Sequence, residues 1–370
     1  NIRNLRQNKD SPIMSSQSEL VFIINDPVVG LGLLRTAKLG GYQVNVIARK
    51  GCRWLRWTSA CQKFFEVEES RIEQDLVNVL REKGFDDPKY ICLAAGDIAT
   101  QALIENVSVL RAKAQHAMDA QTRLSIGNKA DFSEICKSLN IPTPITWVVK
   151  EKQELLALPQ KEGFSFPVIV KAVNMSGSIG IKTADDIVEL NEIVEDPDYN
   201  YSPMVVQEFI TGYDVGFSLI AENGRIRSGY TQKRAKGGDT FPRHNALLEY
   251  SQILCESVNY SGPANIDARI DADGNIFIIE CNARFWATSP LSYLLGIDLI
   301  AEGHTCSSAG TDVVHHHDNT FFSLGNALKG LLLLGPMGSE KARRYLRSVF
   351  ADLPGILFTK VPASRKFFAL

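Results

Sequence analysis

Two kinds of hydrophobic periodicity divide this chain, and the place where one replaces the other limits the folds open to it. From Leu20 an apolar run leads through Asp26 and a glycine turn, Gly30-x-Gly32, into a helical pattern over Leu33 to Lys38. Strand-like runs recur at Val44 to Ala48, Phe64 to Val67 and Tyr90 to Ala94, with helical spacing over Ile72 to Lys83. Strands that alternate with helices build a parallel sheet covered on both faces.

From Asn128 the texture is different. Lys129 to Leu139 has helical spacing and stops at Asn140-Ile-Pro-Thr-Pro144, because proline cannot continue a helix. A strand is expected at Val168 to Ala172, a helix at Ala184 to Glu192 and a strand at Met204 to Phe209. Two hairpins follow, each turning on a favoured dipeptide: Val215 to Ala221 with Arg225 to Tyr230 around Asn223-Gly224, and Asn265 to Ile270 with Ile276 to Glu280 around Asp273-Gly274. The last stretch reads as helix, then strand. The expected class is therefore α/β at the front and mixed α+β behind, divided near residue 125.

Composition narrows the function. Lys+Arg 40 against Asp+Glu 42 gives a net charge of -2, so neither nucleic acid nor an anionic membrane is expected as the main partner. The longest apolar runs fall short of the roughly 20 residues a membrane-spanning helix needs. Seven cysteines lie scattered without C-x-x-C spacing, which reads as free thiols in a reducing cytoplasm. Residues 1–19 are polar and read as a tail, with Met14 a candidate start. The glycine turn lacks the third glycine of a dinucleotide fingerprint, and Ala48-Arg49-Lys50 puts no acidic residue after the second strand.

Chemistry concentrates in the second hairpin. Side chains alternate along a strand, so Glu280 and Asn282 share one face, and the tight turn brings Asp267 across from them. Three oxygen donors on one face suit a hard cation such as Mg²⁺ that keeps open positions for phosphates. The plainer alternative is a pair of edge carboxylates in water or facing Arg269. Arg284, two residues further on, continues the projection and offers a guanidinium fork to phosphate oxygens. Lys171 ends the apolar strand Pro167 to Lys171, and the loop Asn174 to Gly180 that follows, with Ser176, Gly177 and Ser178, has backbone amides able to nest an anion. Taken singly, the lysine reads as a snorkelling surface residue and the loop as a turn.

Taken in order, these pieces resemble the ATP-grasp superfamily of carboxylate-amine ligases and carboxylases. The resemblance runs from about Lys129 to Ser289 through Asn128-Lys129, Ile141 to Pro144, Phe166 to Lys171, Gln207 to Asp214, Asn265 to Asp267 and Ile278 to Phe285. It implies a Rossmann-like domain over 20–125, a small ATP-grasp lid subdomain over 126–205, a large subdomain with the metal site over 206–330, and an extension over 331–370. It further implies ATP and Mg²⁺ as cofactors, with two ions bridged by Glu280 and Mn²⁺ as a substitute. By the same resemblance Lys129 and Lys171 contact ATP phosphates and the Ser176 to Gly180 loop closes over them. The stretch Gln207, Glu208, Phe209 and Ile210 lines the adenine, read by the Glu208 carbonyl and Ile210 amide, and Asp214 takes the ribose. Asp267, Glu280 and Asn282 hold the metal, and Arg284 serves the γ-phosphate or acyl phosphate. Asp214 and Asp267 stand where glutamate is more usual, and Ala283 replaces a familiar proline.

The expected activity is ATP-dependent joining of a small carboxylate to an amine, an amino acid among them, through an acyl phosphate, with ADP and phosphate released. A carboxylase or phosphorylating enzyme and a non-catalytic nucleotide-binding module are the alternatives; the retained Asp267, Glu280, Asn282 and Arg284 argue against the module. Candidate substrate contacts are Lys233, Arg234, Lys236, Arg243, His244, Arg269, Trp286 and Ser289, set against the alternative of a solvated charged loop. His315 to His317 lack a second cluster and are not read as a metal site. Trp54 and Trp57 read as a packed surface. A stand-alone cytoplasmic ligase is expected, and the family's habit of homodimerisation carries over as an expectation only.

Overall fold

The computed structural model of the chain describes residues 19–115, 118–173, 180–235, 238–302, 313–314, 321–322 and 340–353. It divides into two compact units, the first made of residues 1–117, 284–315 and 323–370, the second of 118–283 and 316–322.

In the first unit, β1 (Glu19–Ile24), β2 (Val44–Arg49), β3 (Cys61–Val67), β4 (Tyr90–Ala95) and β5 (Lys113–Ala114) form one parallel sheet in the order β3-β2-β1-β4-β5. This is the order of a doubly wound, Rossmann-like sheet, which reverses between β1 and β4. Both strands are almost wholly buried, as a parallel sheet covered by helices requires. On one face Val21, Ile23, Cys92 and Ala94 pack against Ile72, Leu76, Leu80 and Leu103.

The connections differ from the sequence expectation in two places. The glycine pair is not a turn: Asp26 caps α1 (Pro27–Gly40) by accepting from the amides of Val28 and Val29, and Gly30 and Gly32 lie inside that helix. They are needed for close approach, since a Cβ at Gly30 would fall 2.4 Å from Ile24 Cγ2 and one at Gly32 would fall 2.6 Å from the Ala287 carbonyl oxygen. The single helix expected at Ile72 to Lys83 is two, α2 (Glu69–Gln74) and α3 (Leu76–Glu82), parted at Asp75. There the Asp75 carboxylate is drawn to Arg71 and to the Asn78 amide.

At the reversal point the chain uses its own side chains to satisfy helix N-termini. Asp26 caps α1, and Asn25 Oδ1 accepts from Ala99 N, 3.0 Å away, in the first turn of α4 (Asp97–Asn106). Gly96 permits this with a φ of 106°, where a Cβ would lie 2.3 Å from Asn25 Oδ1.

The second unit opens with α5 (Ala120–Gly127) and α6 (Lys129–Ser138), the latter capped by Asn128 accepting from Ala130 N and Asp131 N. Strands β6 (Thr146–Val149), β7 (Val168–Ala172), β8 (Ile181–Ala184) and β9 (Met204–Glu208) form an antiparallel sheet ordered β6-β9-β7-β8. Its apolar side, with Val168, Val170 and Val206, packs on Leu190 and Ile193 of α7 (Ile187–Glu195). That helix starts three residues later than expected because β8 takes Ala184 and Asp186 caps the start.

A larger antiparallel sheet runs β14-β13-β10-β11-β12, ending on Phe321–Phe322, and is built from β10 (Tyr213–Glu222), β11 (Arg225–Ala235), β12 (Gly238–Thr240), β13 (Gly262–Ile270) and β14 (Ile276–Asn282). The first hairpin turns with Asn223 and Gly224 at φ 50° and 78°, as its dipeptide predicts. The alternation is clean: Val215, Phe217, Ile266 and Ala268 are buried, whereas Asp214, Gly216, Asn265, Asp267 and Arg269 are not. α8 (Asn245–Ser257) packs against β10 and β11. Back in the first unit are α9 (Leu299–Glu302) and α10 (Glu340–Ala351).

Because the Gly32 contact is with backbone rather than a yielding side chain, Gly32→Ala should destabilise the protein by about 1–3 kcal/mol, as overpacking does. Urea unfolding checks this, and an unchanged midpoint would show that the helix is not held this close.

Candidate functional site

The open face of the large sheet holds the oxygen donors. β13 and β14 pair so that Asp267 faces Glu280 and Asn265 faces Asn282. A bulge follows at once, with Ile279 as the extra residue between the pairs Asp267 to Glu280 and Ala268 to Ile278. The Asn282 side-chain amide donates to Asp267 Oδ2 over 3.0 Å. Two carboxylates and an amide thus stand together on one face. Among the described residues no group of three His, Cys, Asp or Glu side chains gathers to hold a metal ion. The donor set here is two acids and an asparagine, whose hard oxygens fit Mg²⁺ better than a soft metal.

Two lysines face these acids. Lys129, at the first position of α6 and 8% exposed, places Nζ 3.6 Å from Glu280 Oε2. Lys171, at the end of β7 and 6% exposed, donates to Gln207 Oε1 over 2.8 Å. Gln207 in turn donates to the Thr146 hydroxyl over 3.0 Å, and Thr146 donates to the Pro144 carbonyl over 2.9 Å. Strand register explains the row: Thr146 is opposite Gln207 across β6 and β9, and Lys171 is its diagonal neighbour across β9 and β7. Burial pushes the Lys171 ammonium down from the usual lysine value to about 8; Glu280 opposes that fall, Lys129 adds to it, and Asp267 and Asp214 oppose it.

The strand leading out of β9 is held by backbone bonds: Glu208 N donates to Ile145 O at 2.9 Å and Phe209 N to Pro167 O at 3.1 Å. Ile210 is buried. Asp214 is largely exposed and lies 3.4 Å from Arg269 Nε, while the Arg269 guanidinium sits 4.7 Å from the Phe209 ring centroid. Lys233 packs its ammonium 3.3 Å from the Tyr213 ring centroid. His244 is half-buried, with Nε2 lacking a hydrogen-bond partner among the described residues, and burial together with Lys233 lowers its pKa. Arg234 is exposed opposite Asp239, and Arg243 bonds Asn245.

Other sequence candidates are engaged in contacts of their own. Gln207 has both ends of its amide engaged by Lys171 and Thr146, so it holds the lysine rather than presenting a free group to a nucleotide. Arg284, Trp286 and Ser289 belong to the first unit. Arg284 is buried and paired with Asp97, 3.1 Å away. Ser289 has no exposed surface and bonds the Thr36 hydroxyl, and Trp286 is buried and stacked on Phe285, so these two are packing residues rather than open substrate contacts. Ser176, Gly177, Ser178, Lys236 and His315 to His317 lie outside the described residues. The sequence reading missed Asn265, Thr146 and Asp97; the period of two from Asp267 would have placed Asn265 on the same face.

Residues 200–319 match the family described as ATP-grasp in the biosynthetic pathway with Ter operon, and residues 135–241 match the D-ala D-ala ligase C-terminus. D-alanine–D-alanine ligase of Stutzerimonas stutzeri (strain A1501) is 26% identical over 174 residues, covering 42% of this chain and 54% of that protein. The chain therefore spans about half the length of this curated relative. L-amino acid ligase from Bacillus licheniformis superposes with a TM-score of 0.59 at 19% identity, over 78% of this chain and 73% of that one. The biotin carboxylase domain of the Hydrogenobacter thermophilus 2-oxoglutarate carboxylase, solved with MgADP and bicarbonate, superposes at 0.60 with 15% identity, over 79% and 70%. The matched segments, the ligase relative and the fold together support the ATP-grasp superfamily.

The low Lys171 value makes a stability prediction. Between about pH 8 and lysine's ordinary 10.5 the unfolded chain binds more protons than the folded one, so stability rises with pH there; the cost of burial is fully present below pH 8. In Lys171→Met the unfolding free energy should lose a rise on the order of 3 kcal/mol across that window relative to wild type. Identical pH slopes in the two proteins would refute the assignment.

Proposed function

We propose that this chain is an ATP-dependent carboxylate-amine ligase working through an acyl phosphate, with an amino acid among its substrates. One observation carries the reading: Lys129 and Glu280 are 3.6 Å apart beside the hydrogen-bonded Asp267 and Asn282, with Lys171 buried close to the same acids. Buried cations facing oxygen donors on a sheet are what a triphosphate and its counter-ion require. The relatives add weight, since the D-alanine–D-alanine ligase and the L-amino acid ligase are named for joining amino acids.

Phosphoryl transfer asks the protein for positioning and charge neutralisation more than for covalent chemistry. Lys129 and Lys171 hold the phosphate oxygens, the chain from Glu208 to Ile210 lines the base, and Asp214 faces the ribose. Asp267, Glu280 and Asn282 would hold Mg²⁺, which supplies charge neutralisation at the phosphates when bound. A substrate carboxylate oxygen attacks the γ-phosphorus and the bond to the β-phosphate oxygen breaks, releasing ADP. The amine nitrogen then attacks the acyl carbon, the bond to the phosphate oxygen breaks, and inorganic phosphate leaves as the nitrogen loses a proton. Lys233, Arg234, Arg243 and His244 remain candidates for the carboxylate ends of the substrates. Small-molecule acid and amine partners follow from this chemistry. A cytoplasmic setting suits the free cysteines, and among the described residues no helix is long and apolar enough to cross a membrane.

The test is ADP and phosphate release with Mg²⁺-ATP against pools of amino acids and small carboxylates, with hydroxylamine as trap. Release that depends on a carboxylate and yields a hydroxamate is expected. Glu280→Gln should lower that turnover by at least about a hundredfold, and unaltered turnover would overturn the reading. A second consequence concerns protons. Phosphate oxygens beside Lys171 favour its charged form, so nucleotide binding at a pH just above 8 should take up part of a proton. Calorimetry in buffers of different ionisation enthalpy reads this uptake, and Lys171→Met should abolish it.

A further inference from the structure

On the polar face of the large sheet, Asp267 is held by a short chain of hydrogen bonds, two of whose members, Ser218 and Asn265, the proposed chemistry does not itself use. Ser218 on β10 is opposite Asn265 on β13, and Gly216 is opposite Asp267. The Ser218 hydroxyl, without exposed surface, donates to Asn265 Oδ1 over 2.9 Å. Asn265 Nδ2 donates to Asp267 Oδ1 over 2.7 Å, and Asn282 Nδ2 donates to Asp267 Oδ2 over 3.0 Å. Both carboxylate oxygens are therefore gripped by amides.

We propose that Ser218 and Asn265 are positioning residues for the metal carboxylate: the serine hydroxyl fixes which way the Asn265 amide points, and the amide fixes the rotamer of Asp267. The logic is one of donors and acceptors. An ionised carboxylate only accepts, so the end of Asn265 that faces Asp267 has to be its NH₂, and its carbonyl then has to meet a donor, which Ser218 supplies. Without that hydroxyl the reversed amide would lose less, and it would point a carbonyl oxygen at a carboxylate. Gly216 belongs to the same device. A Cβ there would lie 3.1 Å from Asn265 Oδ1 and 3.3 Å from Asp267 Oδ1, so a larger residue would press on both partners of the bond. Asn282 is part of the metal set, whereas Ser218 and Asn265 act one bond further out, where loss of an orienting partner typically costs about 10- to 100-fold in metal affinity.

This inference rests on the ATP-grasp reading of Asp267 as a metal ligand, and the experiment separates the two. Mn²⁺ binding in the presence of ADP is followed by the electron paramagnetic resonance signal of free Mn²⁺, for the wild type, Asp267→Asn, Ser218→Ala and Asn265→Ala. ADP affinity without metal and the metal-free melting temperature are measured alongside. The expected result is Mn²⁺ binding about tenfold or more weaker in Ser218→Ala and Asn265→Ala, with metal-free ADP affinity and melting close to wild type. Wild-type Mn²⁺ affinity in both variants, while Asp267→Asn loses it, would overturn the positioning role and leave the metal site standing. Equal loss of metal-free ADP affinity and of melting temperature would also overturn it, because general damage would then explain the effect. If Asp267→Asn binds Mn²⁺ as the wild type does, the metal reading itself fails and this inference with it.

Discussion

An ammonium group almost shut off from water keeps its proton only against a strong local field, and Lys171 is in that position. Desolvation works to strip the charge, with Lys129 adding to it, while Glu280, Asp267 and Asp214 work to retain it, and the balance falls near pH 8. Much of the second unit's architecture serves that balance. The four-stranded sheet supplies Lys171 and the amide that steadies it, the large sheet supplies the acids, and α6 begins on Lys129 because Asn128 caps it. Moving any one of these elements would leave either buried cations without acids or acids without cations.

The face of the large sheet was readable in the sequence because a strand has a fixed period. Asp267, Glu280 and Asn282 follow from alternation and a tight turn, and the structure pairs Asp267 with Glu280 in register. The hairpin at Asn223-Gly224 was readable for a similar reason, since its residues occupy the positive φ values the turn demands. What sequence could not supply were contacts between distant segments. Gly30 and Gly32 resemble a turn locally, yet Ile24 and the Ala287 backbone decide their role by crowding a helix. Ser289 and Trp286 look available next to a motif, and burial against Thr36 and Phe285 removes them. Gln207 was placed near the nucleotide by its neighbours in sequence, whereas its hydrogen bonds assign it to Lys171.

Hydrogen bonds within the chain also mark the reversal point of the front sheet. In doubly wound folds that crevice commonly receives a ligand on free helix amides. Here Asp26 and Asn25 occupy amides in the first turns of α1 and α4, and Gly96 allows the close approach. A short acidic residue and an amide do locally what a bound phosphate does elsewhere.

The first unit is assembled from segments far apart in the chain. Thr36 bonds Ser289, Tyr42 bonds Asp298, and Gln115 bonds the Leu299 carbonyl, separations of 253, 256 and 184 residues. Closing such loops costs chain entropy before any contact repays it. On a ribosome, the residues that begin the sheet emerge early and must wait for residues beyond 283, whereas nearly all of the second unit is already out by then. The sheet that is begun before the second unit is completed after it.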